Sequence, residues 1–167
     1  FKTAGAVVFQ GDWLNMTTTR INTADNSRAT TTAGTFDPAT INNFSFGLSS
    51  GVTIDGIEVN TEFSNNSGAA TATLQISLSW DNGTNYTATK SDTVTSSTDK
   101  NSTLGGATDT WGRTWTDTEF ANGTFLVKVE GKTTVGGSCR LDFLQIKVYF
   151  TVPSTGASGA YYIFMEA

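Results

Sequence analysis

The run Leu74-Gln-Ile-Ser-Leu-Ser-Trp80 decides the fold class. Leu74, Ile76, Leu78 and Trp80 alternate with Gln75, Ser77 and Ser79. A period of two places the four apolar side chains on one face of a half-buried antiparallel strand. The next residues, Asp81-Asn-Gly-Thr84, carry the Asn-Gly pair that closes hairpins. Outward from this strand the same alternation recurs. Phe125, Val127 and Val129 alternate with Leu126, Lys128 and Glu130 before Gly131. Upstream, Val52 and Ile54 occupy even positions, whereas Ile57, Val59, Thr61 and Phe63 are odd. The phase slips at Asp55-Gly56, where a β-bulge is expected. A second slip falls in CRLDFLQIKVYFTV (139–152), where Cys139, Leu141 and Phe143 give way to Ile146, Val148, Phe150 and Val152. That strand either bulges or is covered on both faces.

No segment shows a helical period over eleven residues, and only DTEFA (117–121) suits a single turn. TKSDTVTSSTDKNSTLGG (89–106) is polar and nearly free of large apolar residues, so it reads as a long surface loop. Thr favours strands through its branched Cβ, while Gly, Asn and Ser supply turns. The expectation is an all-β protein with a single antiparallel β-sandwich of jelly-roll type and extension strands at both ends.

With 167 residues the chain fits one domain. Acidic residues outnumber basic ones 15 to 10, and the cations are scattered singly, which argues against nucleic acid. No apolar run approaches the roughly 20 residues of a membrane-spanning helix. The chain opens with Phe1 rather than Met, as expected if a leader has been removed or if this is not the primary translation product, both compatible with export or with assembly into a particle.

INTADNSRATT (21–31), FSFGLSSGVTIDGIEV (44–59), GATDTWGRTWTDTEF (106–120) and LDFLQIKVYF (141–150) resemble a mostly uncharacterised β-sandwich module found in phage virion proteins and in prokaryotic secreted or surface proteins. Ile54 to Val59 and Asp109 to Thr116 are its most specific parts. The resemblance covers roughly residues 20–151, and it implies a jelly-roll-like fold in a structural or adhesive setting, with no catalytic motif to transfer. Residues 1–19 and 152–167 then read as N- and C-terminal extensions of a module that is complete without them.

The chain has no His, and its one cysteine, Cys139, has no partner for an intrachain disulfide. The commonest general base and metal ligand is therefore missing. No nucleophile elbow or glycine-rich phosphate loop occurs, so the expectation is a non-enzyme without cofactor. DNGTN (81–85) and SDTVTSSTD (91–99) offer oxygen ligands but match no calcium-loop spacing. Trp111 and Trp115 are candidates for stacking on a ligand such as a sugar, although the resemblance makes them part of a structural signature. Trp80, in phase with its strand, reads as core.

Asn-x-Ser/Thr sequons begin at Asn15, Asn43, Asn65, Asn82, Asn85, Asn101 and Asn122, an excess over the roughly three expected by chance from this composition. Asn43 is the least suited; the other six are glycosylation candidates and lean toward an exported surface protein with glycans as partners. The ends carry the remaining signal. AVVF (6–9), with Phe1 and Trp13 (Ala6, Val7, Val8 and Phe9 between them), and Tyr161, Tyr162, Ile163, Phe164 and Met165 are apolar and lack Pro or charge to blunt a strand edge. They are expected to form an assembly interface, the chain polymerising with copies of itself by strand exchange into an extracellular, pilus-like filament, with the N-terminal segment as donor. A virion component or a carbohydrate-binding module are the alternatives.

Overall fold

A computed structural model describes residues 1–153. These described residues form ten strands: β1 (Lys2–Thr3), β2 (Ala6–Phe9), β3 (Ala29–Thr31), β4 (Asp37–Asn42), β5 (Thr53–Asn65), β6 (Ala72–Ser79), β7 (Lys90–Val94), β8 (Lys100–Gly105), β9 (Leu126–Thr133) and β10 (Cys139–Thr151). They build two antiparallel sheets packed as a sandwich. One has the order β1-β10-β5-β8, with β3 also on β10, and the other β2-β4-β9-β6-β7. Every connection except β6 to β7 carries the chain from one sheet to the other, the crossing habit of jelly-roll sandwiches.

The alternating apolar residues supply the core, although Ser77 and Ser79 on the other face of β6 are buried as well. Leu74, Ile76 and Leu78 of β6 pair with Gly131, Val129 and Val127 of β9 and lie in the core with Ile57, Val59, Phe63, Leu141, Leu144 and Ile146 from the opposite sheet. Both phase slips are bulges in the β5–β10 pair. Tyr149 pairs with Gly56 and Phe150 with Ile54, leaving Asp55 extra; Leu141 pairs with Phe63 and Phe143 with Glu62, leaving Asp142 extra. At Gly56 a Cβ would stand 2.2 Å from the carbonyl oxygen of Gly106, so only glycine lets the bulged strand lie against that backbone.

Two local expectations are corrected. The 89–106 segment is not a surface loop: it holds β7 and β8, the outer strands of the two sheets. An outer strand buries few of its side chains, here chiefly Val94 and Ser102, so its sequence stays polar. Asn82 (φ 57°) and Gly83 (φ 85°) do turn left-handed, but within a long connection (80–89), because Asp81 gathers the turn. Its carboxylate accepts from the Asn85 amide N–H at 2.8 Å and from Asn85 Nδ2 at 2.6 Å. DTEF forms a 3₁₀ turn (Asp117–Phe120) with a capping box between Thr116 and Glu119. A four-residue helix, α1 (Thr18–Ile21), has no apolar period to announce it.

Residues 1–19 are not an appendage, contrary to the boundary drawn from sequence. Ala4, Trp13 and Met16 lie in the core beside residues of both sheets. Leu14 and Thr30 exchange backbone hydrogen bonds at 2.8 and 3.0 Å, and α1 packs on β10. The segment closes one flank of the sandwich, so the domain begins with the first strand.

Candidate functional site

The N-terminal flank carries the site with the least conventional surface chemistry. Gly5 donates its N–H to the Asn42 carbonyl at 3.1 Å, where the chain crosses from β1 to β2. β2 then pairs with β4 through Ala6–Asn42, Val7–Ile41 and Phe9–Thr40, with Val8 extra in a bulge. Val7 turns onto the core, while Val8 is 57% and Phe9 54% exposed. No strand pairs with the outer side of β2 among the described residues. A groove of about 440 Å³ runs along it, lined by residues 5–10 and by Met16 to Thr18. From Thr3 to Gly11 there is no charged side chain.

The opposite flank is built differently. Lys100 Nζ of β8 reaches Asp92 Oδ1 of β7 at 2.6 Å, tying the two sheets together, and Lys90 of β7 pairs with Asp109 at 2.8 Å. The Lys90 hydrogen bond holds the Asp109 carboxyl below its ordinary pKa. Charge and mutual cover blunt these strands in the usual way; β2 has neither protection. Phe1, Leu14, Phe150 and Val152 are also exposed, so most of the large exposed apolar side chains among the described residues fall within residues 1–14 or 150–152.

Trp13, expected at an intermolecular contact, is instead 1% exposed. Its Nε1 donates to the Asp37 carbonyl at 2.8 Å, so the aromatic ring and its polar atom are both satisfied inside the domain. Tyr161 to Met165 lie outside the described residues.

Trp111 and Trp115 are not ligand platforms. They are 4% and 3% exposed, with Nε1 donating to the carbonyls of Ile57 (2.9 Å) and Thr110 (2.7 Å). Trp115 belongs to an aromatic cluster with Trp80, Phe120 and Phe125. The Arg113 guanidinium lies 4.1 Å from the Trp80 ring centre and 4.4 Å from that of Trp115, and Arg113 also binds both oxygens of Glu119, at 3.2 and 2.7 Å. The segment between residues 106 and 120 is thus a rivet holding a long loop on the core.

Of the sequon residues, Asn15, Asn82, Asn85, Asn101 and Asn122 are exposed. Asn65 is corrected: it is 0% exposed, and its Oδ1 accepts from the N–H groups of Ser67 and Ser138 at 3.1 and 3.3 Å. Its place on a polar stretch hid that it ends β5 beneath the β9–β10 turn.

Sequence reasoning missed one charged cluster. Asp142, in its bulge, is 1% exposed and accepts from the Asn26 N–H at 3.0 Å. Arg28 binds Asp99, 71 residues away in sequence. Burial opposes ionisation of Asp99, but hydrogen bonds from Arg28 and Ser64 prevail and lower its pKa. Glu62 is raised by burial and by the charges of Asp99 and Asp142, against the opposing pull of Arg28. Cys139 is fully buried, and desolvation pushes its thiol up to about 12, so it is inert. No three or more His, Cys, Asp or Glu side chains among the described residues are grouped to hold a metal ion. Comparison with protein-family models, curated proteins and solved structures gives no match.

Proposed function

We propose that this protein is a non-enzymatic structural subunit that self-assembles into an extracellular filament, one copy adding a strand to the β2 edge of the next. The observation that supports this is the edge itself: an uncharged strand without a partner on its outer side among the described residues, with Val8 and Phe9 in solvent, beside a groove, on a sandwich whose other flank carries ion pairs. Such an edge is a template for β-augmentation.

In this reading the N-terminal segment is the acceptor rather than the donor expected from sequence. β1 and β2 already have partners, β10 and β4, within their own chain, so β2 acts as acceptor. The donor is Tyr161–Met165 of a second copy, five apolar side chains worth about 1.5–3 kcal/mol each when fully buried, before the entropy of association is subtracted. The spacer 154–160 follows Pro153 and spans at most about 23 Å when extended. Each subunit offers a donor at one place and an acceptor at another, and a heterologous contact that does not close into a ring propagates as a fibre.

Electron microscopy of concentrated protein tests this. The full chain is expected to form long fibres, and chains lacking residues 160–167 or carrying Val8→Lys with Phe9→Lys are expected to remain monomeric. Fibres undiminished in both variants, or a full chain that stays monomeric or forms only closed rings, would overturn the proposal.

A further inference from the structure

We infer that one pole of the sandwich, formed by the loops carrying Asn82 and Asn122, is a site of N-linked glycan attachment. Three sequons meet there: Asn82-Gly83-Thr84, Asn85-Tyr86-Thr87 and Asn122-Gly123-Thr124. The first two share one loop and the third is distant in sequence, but the Asn82 N–H donates to the Thr124 carbonyl at 2.9 Å, joining the two loops. All three asparagines are exposed. None of the intervening residues is proline, which would block the sequon.

The side chains differ in freedom, and this ranks them. Asn82 makes no side-chain hydrogen bond among the described residues and stands on a left-handed turn that projects it from the surface. Asn122 exchanges hydrogen bonds with Ser45 at 3.0 to 3.5 Å, all exposed to water. Asn85 Nδ2 is held by the Asp81 carboxylate at 2.6 Å, and its Thr87 hydroxyl accepts from the Leu78 N–H of β6 at 3.0 Å. Asn82 and Asn122 are therefore the acceptors, with Asn85 modified less.

The reaction needs a lipid-phosphate-linked oligosaccharide and a host transferase. The Asn Nδ2 bonds to the anomeric carbon of the sugar, the anomeric C–O bond to phosphate breaks, the lipid phosphate leaves with the electron pair, and the amide loses one proton. The result is a hydrated cover over the loops, one of which joins Phe120 to Phe125, two rings that stack 5.0 Å apart. This inference stands independently of the assembly reading, because the two loops lie outside β2 and its groove.

Glycopeptide mass spectrometry tests it on the full chain secreted from a host that N-glycosylates a control protein in the same preparation. The expected result is a glycan mass on the Asn82 and Asn122 peptides, lost in Asn82→Gln and Asn122→Gln, and an unmodified Asn65 peptide. Unmodified Asn82 and Asn122 beside a glycosylated control, or a glycan on Asn65, would overturn it.

Discussion

Trp13 lies so close to Gly131 that a Cβ added to the glycine would stand 2.4 Å from Trp13 Cζ2 and 2.9 Å from Thr31 Cγ2. The first-strand segment is therefore locked onto the middle of β9 by a ring that fits only against bare backbone. Trp13→Ala is expected to cost about 3–5 kcal/mol, as for other large-to-small core changes. Gly131→Ala should destabilise as well, by forcing the ring or β9 to shift. Urea unfolding of both variants checks this; wild-type midpoints would show that residues 1–19 are dispensable to the fold.

Arg113 supplies a second long-range clamp through its two ring contacts and its paired bonds to Glu119. Arg113→Ala is expected to lower stability by about 1–3 kcal/mol. Lys in its place should not restore it, because an ammonium cannot stack flat between rings while holding both carboxylate oxygens. Thermal unfolding of the two variants distinguishes a planar clamp from a simple charge.

Val8→Lys with Phe9→Lys alters exposed side chains on the outer edge of β2, so the unfolding midpoint should stay within about 0.5 kcal/mol of wild type. Sedimentation at high concentration should nevertheless show a loss of self-association. A variant that associates as before fails the prediction even if it is fully folded.

Glu62 carries a pH signature. Its carboxyl is raised above its ordinary value of 4.5 in the folded protein, first by burial and then by Asp99 and Asp142. The folded state therefore binds the proton more tightly than the unfolded one, and stability falls as pH rises from the unfolded value through the folded one. Glu62→Gln removes that penalty. The variant should be more stable than wild type at pH 7, and the advantage should disappear below about pH 4, where Glu62 is protonated in both states. Chemical unfolding at pH 7 and pH 3.5 measures the two limits.

Cys139 should not react with an aromatic disulfide reagent at pH 8 in the folded protein, because it is buried and its thiol is pushed up to about 12. One thiol should appear on addition of denaturant. Rapid labelling of the native chain would show β10 opening near its β3 partner.

The long strands β5, β6, β9 and β10 and both bulges of the β5–β10 pair were legible in the sequence, because a half-buried strand writes its two environments into alternate residues and an extra residue reverses the phase. Leu74 to Trp80, Gly56 and the 139–152 slip show this directly. β7 and β8 escaped because an outer strand buries too little to leave an apolar trace. The tertiary structure alone decided that Trp13 belongs to the core, that Asn65 is sealed under a turn, that Arg28 finds Asp99 and that Trp111 and Trp115 face inward. Apart from Trp115, whose Nε1 partner Thr110 is local, each outcome depends on residues 24 to 75 positions apart in the chain. Local periodicity reports whether a side chain is buried, whereas the identity of what buries it is set only when the two sheets close on one another.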